Sequence, residues 1–374
     1  VRIAGNARDR VLAALVLIEG HTLEHVSSLC DGSTYGPAPL SAAERERLGR
    51  LAEMRLDQPE QPEWVRVETP EWLLASFKRG FGAATATELA ALSEPAQVDL
   101  RVNPLRADDR HEVAAELASV GIEAAATPYA RSGLRLAGRR AVTATSAFKN
   151  GRIEVQDEGA QIAAALVDAR PGQAVCDLCA GAGGKTLALA ADMQDSGTLV
   201  ALDRDDGRLG AAGPRLARAG VHSVERRRLM GTDDPWIGDN AGRFQRVLVD
   251  APCSGTGTWR RHPDIRWRFS EAALTARLAE QDTLLDQAAR LLQPGGRLIY
   301  TTCSLLPEEN AERVAALVTA HPHLAARPID ALWRERLDGE PPVDIDATTL
   351  TLTPAKHGTD GFFIAVLAHE GRRQ

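Results

Sequence analysis

The chain has 374 residues, 25% of them charged and 44% hydrophobic, with a formal net charge of −7. That length exceeds one ordinary core and accommodates two or three domains, and the balance is that of a globular rather than a disordered or fibrous chain. No apolar stretch approaches the roughly 18 to 20 residues that span a bilayer, so no membrane partner is expected.

Five cysteines (Cys30, Cys176, Cys179, Cys253 and Cys303) are odd in number and scattered. That argues against a disulfide framework and for a reducing compartment, the cytoplasm. The acidic average does not exclude nucleic acid, because binding depends on local patches. Arginines crowd the stretch from Arg204 to Arg268, including Arg226-Arg227-Arg228 and Arg260-Arg261. The chain opens on Val1 rather than Met, which leaves a preceding targeting segment open.

Residues 1–95 read as a helical N-terminal region. Val11–Glu19 and Ser41–Met54 are apolar-periodic, and Ser41 with Glu44 makes a capping box. Pro59, Pro62 and Pro70 lead into a helix over Trp72–Phe81. Residues 96–150 read as a small α+β unit, with strands at 98–102 and 133–136 and a helix at 108–120. From 151 to 374 strands and helices alternate, the pattern of an open α/β fold with a parallel sheet. Strands are expected at Ala174–Leu178, Leu199–Asp203, Arg246–Asp250, Leu298–Cys303 and Phe362–Leu367. Helices are expected at Lys185–Ala191, Arg208–Ala219, Glu271–Leu292 and Glu308–Thr319. Pro294-Gly295-Gly296 stops the long helix and turns the chain into the next strand.

The strand Ala174–Leu178 feeds directly into Cys179-Ala180-Gly181-Ala182-Gly183-Gly184-Lys185. Glycines at a strand-to-helix turn let a ligand approach the backbone near a helix N-terminus. A phosphate-binding P-loop would need glycine where Cys179 stands, and the Gly-x-Gly-x-x-Gly spacing of nicotinamide enzymes is not met. The next strand ends in Asp203, well placed to accept hydrogen bonds from ribose hydroxyls. A nucleoside-bearing cofactor is the expectation. Cys176 and Cys179 lack the second pair that a metal site requires, so no metal is expected and Cys176 reads as a packed core thiol.

Two further strands end in thiols. Val247-Leu248-Val249-Asp250-Ala251-Pro252-Cys253 places an acid and a sulfur beyond one strand, and Tyr300-Thr301-Thr302-Cys303-Ser304 places a sulfur beyond another. Carboxyl ends of neighbouring strands in an open sheet share a crevice, so both thiols, Asp250 and the nucleoside pocket are expected to converge. A lone strand-end cysteine is more often a small buried hydrophobe; a pair of this kind favours chemistry. Arg260, Arg261 and Arg266 with Trp267 follow the first thiol, and guanidinium groups beside an aromatic suit RNA phosphates and a stacked base.

The motifs Asp177-Leu-Cys-Ala-Gly-Ala-Gly-Gly-Lys-Thr186, Asp250-Ala-Pro-Cys-Ser-Gly-Thr-Gly257, Arg261-His-Pro-Asp-Ile-Arg-Trp267 and Thr302-Cys-Ser-Leu-Leu-Pro-Glu-Glu-Asn310 resemble the Nol/Nop/Sun family of RNA 5-methylcytosine methyltransferases, above all its bacterial ribosomal-RNA branch. Arg101-Val-Asn-Pro-Leu-Arg106, Val155-Gln-Asp-Glu-Gly-Ala-Gln161 and Thr359-Asp-Gly-Phe-Phe363 match as well. The resemblance covers roughly Pro70 to Leu367. It implies a Rossmann-like S-adenosylmethionine-dependent methyltransferase domain preceded by an RNA-recognition-like subdomain.

It also implies roles. Cys303 attacks cytosine C6, Cys253 assists release, Asp250 contacts the base and the cofactor pocket, and Cys179 through Lys185 with Asp203 hold the cofactor. The substrate implied is RNA, 16S ribosomal RNA in the first place, and the working unit a monomer. In one respect the chain departs from the family: Arg228-Leu229 stands where an acid for the adenine amine would fall, with Asp233 and Asp234 downstream, so adenine recognition stays unassigned. The rival readings are a transfer-RNA enzyme, a DNA-type enzyme in which Cys253 itself attacks, and an RNA-binding assembly factor without activity. The Thr302-Cys303-Ser304 motif separates the RNA from the DNA type, and retention of both thiols speaks against the assembly factor.

Overall fold

In the computed structural model, residues 6–54, 60–343 and 347–371 are described, and Pro59 of the proline-rich connection lies outside them. Val1–Val67 and Glu68–Gln374 form two compact units. In the first, helices Ala7–Leu17, Leu23–Leu29 and Ala42–Ala52 close around Leu12, Val16, Val26 and Leu48. Ser41 and Glu44 cap the third helix reciprocally, as their spacing requires.

The division between the two units falls between Val67 and Glu68, inside the helical region read as residues 1–95. Helices Glu71–Phe81 and Thr85–Ala91 belong to the second unit. The apolar face of the first of them is covered from far along the chain: buried Phe77 meets buried Trp259 at 5.4 Å between ring centroids, and Ser76 and Arg79 both engage Glu308.

A small antiparallel sheet follows, built from β1 (Asp99–Val102), β2 (Ala124–Ala126), β3 (Gly133–Leu136) and β4 (Ile153–Val155) in the order β2-β3-β1-β4. Val113 and Leu117 of helix Arg110–Ser119 pack on Leu100, Leu134 and Ile153.

The large sheet contains β5 (Ala174–Asp177), β6 (Thr198–Asp203), β7 (Val224–Arg228), β8 (Phe244–Asp250), β9 (Leu292–Thr302), β10 (Leu324–Ala326), β11 (Thr349–Leu352) and β12 (Phe362–His369). Its order is β10-β12-β9-β8-β5-β6-β7, with β11 on β12. β5 to β9 run parallel, whereas β12 is antiparallel to β9. The chain winds outwards from β5 through β6 to β7, then crosses back to β8 on the other side of β5. That reversal opens a crevice at the carboxyl ends of β5 and β8.

β7 lacks a strand signal because Val-Glu-Arg-Arg-Arg at an exposed sheet edge has no apolar alternation. The Pro294-Gly295-Gly296 turn is absorbed within β9. Leu292 pairs with Phe244, pairing resumes at Arg297 opposite Arg246, and the residues between bulge out with Gly295 at φ +77°.

Arg246 and Arg297 stand opposite one another on β8 and β9, a like-charge pair that would destabilise the sheet. Asp168, 2% exposed, neutralises them, accepting from both at 3.1 Å and from Arg170 at 3.0 Å. Burial pushes its carboxyl up, but the guanidinium groups of Arg170 and Arg246 outweigh burial and hold it below the ordinary 3.8. A depressed carboxylate contributes stability that is complete above its unfolded value and fades as pH falls through the folded one. Asp168→Asn should therefore cost on the order of 3 kcal/mol in denaturant unfolding at pH 7. The difference from the native chain should shrink below pH 3.8.

Candidate active site

A cavity of about 900 Å³ opens at the crevice, with Cys179, Asp203, Asp250, Cys253 and Cys303 on its wall. The glycine turn lies beneath. Gly181 donates its N–H to Asp203 Oδ2 at 2.7 Å, and Asp205 donates to Oδ1 at 2.8 Å. This fixes the Asp203 carboxylate at the cavity edge with lone pairs to spare for hydroxyl donors. Ala180, Gly181 and Ala182 carry the turn, and Gly183 at φ +79° caps the helix that begins at Gly184. Of the turn residues expected to hold a cofactor, Cys179 lines the cavity directly.

Lys185 reaches across to Asp250, its ammonium 2.7 Å from Oδ2 and 5.3 Å from the Phe362 ring centroid. It therefore ties the turn to the loop bearing Cys253. Asp177, at the end of β5, is fully buried. Burial pushes it up to about 7 against the Thr186 hydroxyl that holds it down, and its Oδ1 has no partner.

The two thiols meet, Cys253 Sγ lying 3.4 Å from Cys303 Sγ. The hydrogen bond to Cys303 pushes the Cys253 thiol well above its ordinary value, and burial and the nearby Glu309 charge push it further. Cys253 thus keeps its proton and can donate it to the other sulfur. Cys176 is fully buried, and burial drives its thiol up too, as expected for a core residue.

Glu309 is the functional residue that sequence reasoning missed. Its buried carboxyl accepts from Ser254 N at 2.8 Å, from Ser254 Oγ, and from Gln281 Nε2 at 3.1 Å. Gln281 also donates to Pro252 O at 2.9 Å. On its own side, Glu309 O accepts from Tyr300 at 2.6 Å. The loop of Cys253 is thereby hung from the segment that follows Cys303. The signal available was a carboxylate in Pro307-Glu308-Glu309-Asn310 without a complementary charge beside it.

Behind the thiols, Gly257 donates to Cys303 O at 2.9 Å and accepts from Gly361 N at 2.8 Å. A methyl group on Gly257 would lie 2.3 Å from Gly361 O, so this contact requires glycine.

Arg260, Arg261 and Arg266, expected to contact RNA phosphates, engage partners within the chain. Arg260, with 5% of its side chain exposed, binds Asp360 at 2.6 Å; Arg261 binds Asp360 and, at 3.0 Å, Asp157. Arg266, 4% exposed, donates to Glu68 O at 3.0 Å, to Ser93 Oγ at 3.1 Å and to Leu92 O at 3.2 Å, and lies 4.7 Å from the Trp259 ring centroid. Guanidinium groups next to aromatics suit internal clamps as well as RNA, and sequence does not separate the two. Trp267 is 57% exposed and free to stack. His262 is exposed and off the cavity wall.

Sheet order and crevice define the class of fold: a Rossmann-like α/β domain with a ligand crevice at the carboxyl ends of its parallel strands. The family model described as 16S rRNA methyltransferase RsmB/F matches residues 164–368, and that of the RsmF/B-like ferredoxin-like domain matches residues 69–143. The chain belongs to this RsmB/F family. It is 34% identical over 319 residues to the probable ribosomal RNA small subunit methyltransferase B of Synechocystis, covering 83% of this chain and 69% of that protein. It is 36% identical over 253 residues to ribosomal RNA small subunit methyltransferase B of Yersinia pseudotuberculosis, covering 68% of this chain and 58% of that one. The chain thus spans little more than half of the Yersinia relative's length. A methyltransferase homologue from Pyrococcus horikoshii superposes with a TM-score of 0.67 at 26% identity, covering 82% of this chain and 97% of the other.

Two outcomes follow from the packing. Gly257→Ala should displace the thiol loops and abolish turnover, while differential scanning fluorimetry still shows a folded protein of lowered Tm. Arg266→Ala should lower stability by about 2–4 kcal/mol through unpaired buried acceptors, and should leave the salt slope of RNA binding unchanged.

Proposed function

We propose that this chain methylates C5 of a cytosine in 16S ribosomal RNA, in the cytoplasm, with Cys303 as nucleophile and Cys253 assisting release. The observation that carries the reading is the 3.4 Å approach of the two sulfurs on one cavity wall. A single attacking thiol does not need a second sulfur in contact.

The cofactor supplies an electrophilic methyl group. The cavity fits it: its volume admits a nucleoside with an amino-acid tail, and Asp203 presents a backbone-anchored carboxylate to the ribose hydroxyls. Asp250 spends Oδ2 on Lys185, and no donor among the described residues takes Oδ1. That oxygen is available to accept from the exocyclic amine of the base.

Cytosine C5 is a poor nucleophile until a thiolate adds to C6. Thiolate and not thiol attacks, and the Cys253 sulfur lies 3.4 Å from the attacking Cys303 sulfur. Formation of the sulfur–C6 bond makes C5 enamine-like, and C5 takes the methyl group. Release then removes the C5 proton to a base, with Cys253 placed to assist, as the electron pair of that C–H bond restores the C5–C6 double bond. The sulfur–C6 bond breaks and returns Cys303 as thiolate, so atoms and charge balance.

Incubated with RNA and S-adenosylmethionine, Cys303→Ala should give neither methylated RNA nor a covalent adduct. Cys253→Ala should methylate once and remain attached to the RNA on a denaturing gel. A Cys303→Ala protein that still forms the adduct would overturn this assignment in favour of the DNA-type order of attack. Wild-type protein that leaves unmethylated 16S RNA unmodified in bisulfite sequencing would favour the assembly factor. Asp203→Ala should weaken cofactor binding by about 1–3 kcal/mol through lost charge-assisted hydrogen bonds, and unchanged calorimetric affinity in a folded variant would remove Asp203 from the site.

A further inference from the structure

The acid that would hold the adenine amine is displaced in this sequence, and neither downstream acid is placed to substitute for it. Asp234 is buried and committed: it accepts from Met230 N at 2.8 Å and from Trp236 N at 3.0 Å, capping helix Pro235–Asp239. Asp233 is exposed and off the cavity wall. The stretch after β7 presents Leu229 and Met230 instead. Their backbone N–H groups are both spent, Leu229 on Asp203 O at 2.9 Å and Met230 on Asp234. Met230 is 74% exposed, a large apolar side chain at the rim of a ligand cavity. Leu178, Leu229 and Leu284 line the same cavity and belong to one apolar cluster.

Three other carboxylates on the wall have duties of their own. Asp203 anchors the glycine turn, Asp205 caps helix Asp206–Ala219 through Arg208 N, and Glu280 is paired with Arg277 at 2.6 Å and Arg204 at 3.5 Å. Asp206 lies exposed in the first turn of that helix.

We propose that this chain holds the adenine by its faces, in an apolar slot closed by the Met230 thioether, with no carboxylate on the exocyclic amine. This rests on the reading of the cavity as the S-adenosylmethionine site. A sulfur lying against an aromatic ring and an aliphatic opposite wall suit a purine without regard to its substituent at position 6. A site built to hydrogen-bond an N–H rejects the analogue lacking it by orders of magnitude, because its own polar group is left unpaired. An apolar slot has no such group to strand.

The test is calorimetry of the full chain with S-adenosylhomocysteine and with its 6-deamino analogue, in which hydrogen replaces the amine. The two Kd values are expected within about tenfold of each other. Met230→Ala, at an exposed position where folding is not at issue, is expected to weaken both ligands together by roughly two- to tenfold. A larger preference for the amine in the native chain would overturn the proposal and point to Glu280 or Asp206, which Glu280→Gln and Asp206→Asn would then tell apart. Unchanged affinity in Met230→Ala would equally overturn it. If S-adenosylhomocysteine itself fails to bind, the cofactor reading falls first, and that result is distinct from the other two.

Discussion

The site depends on one buried carboxyl group. Glu309 lies beyond Cys303 in sequence, yet its oxygens are filled by the backbone and side chain of Ser254 and by Gln281. Without it, Ser254 N would be a buried donor lacking its acceptor, a cost of roughly 1–3 kcal/mol. Ser254 sits on the loop that carries Cys253, and Gln281, from helix Glu271–Leu291, holds Pro252 O of the same loop, so the clamp bears on the separation of the sulfurs. Packing alone would leave the loop to find its own depth. Hydrogen bonds of fixed length do not.

A second layer supports this clamp. Asp157 and Asp360 lie together, with Asp360 N donating to the Asp157 carboxylate. Burial, then the charge of Asp360, pushes Asp157 up to about 6. Arg260 and Arg261 compensate the pair from the loop after the Pro-Cys motif. Four of the sequence motifs therefore meet through framework contacts rather than through substrate: the Gln-Asp-Glu-Gly turn, the Asp-Gly-Phe-Phe strand start, the arginine loop and the thiol loop. Gly159 belongs to the same set, since a Cβ there would lie 2.5 Å from the Phe362 ring.

What the sequence revealed divides along physical lines. Buried parallel strands are apolar runs bounded by turns, so β5, β6, β8, β9 and β12 were legible, as were the glycine turn and the strand-end thiols. β7 and the short strands β2, β4, β10 and β11 were not, because three to five residues at an edge carry too little pattern. The arginines of the 260s hid their internal partners for another reason. Their charge is visible in sequence, whereas their acceptors, Asp360, Asp157, Leu92 O and Glu68, lie far away along the chain. Glu309 was hidden in the same way. Residue type announces a strand-end nucleophile, but a positioning residue is defined by its partners.

The pairing of β12 with β9 bears on the order in which the molecule assembles. The glycine turn and Asp203 belong to β5 and β6 and the short connections around them, which are neighbours in sequence. The thiol half closes only when Gly361 seats on Gly257, Phe363 O accepts from Thr301, and Asp360 meets Arg260 from 100 positions away. Contacts of such separation form late in folding, because loop closure must precede them. The cofactor cradle can thus exist before the two sulfurs face one another, and local opening of β12 undoes the second without the first. The glycine turn thus rests on contacts local in sequence, and the facing of the two sulfurs on contacts that reach as far as 100 positions.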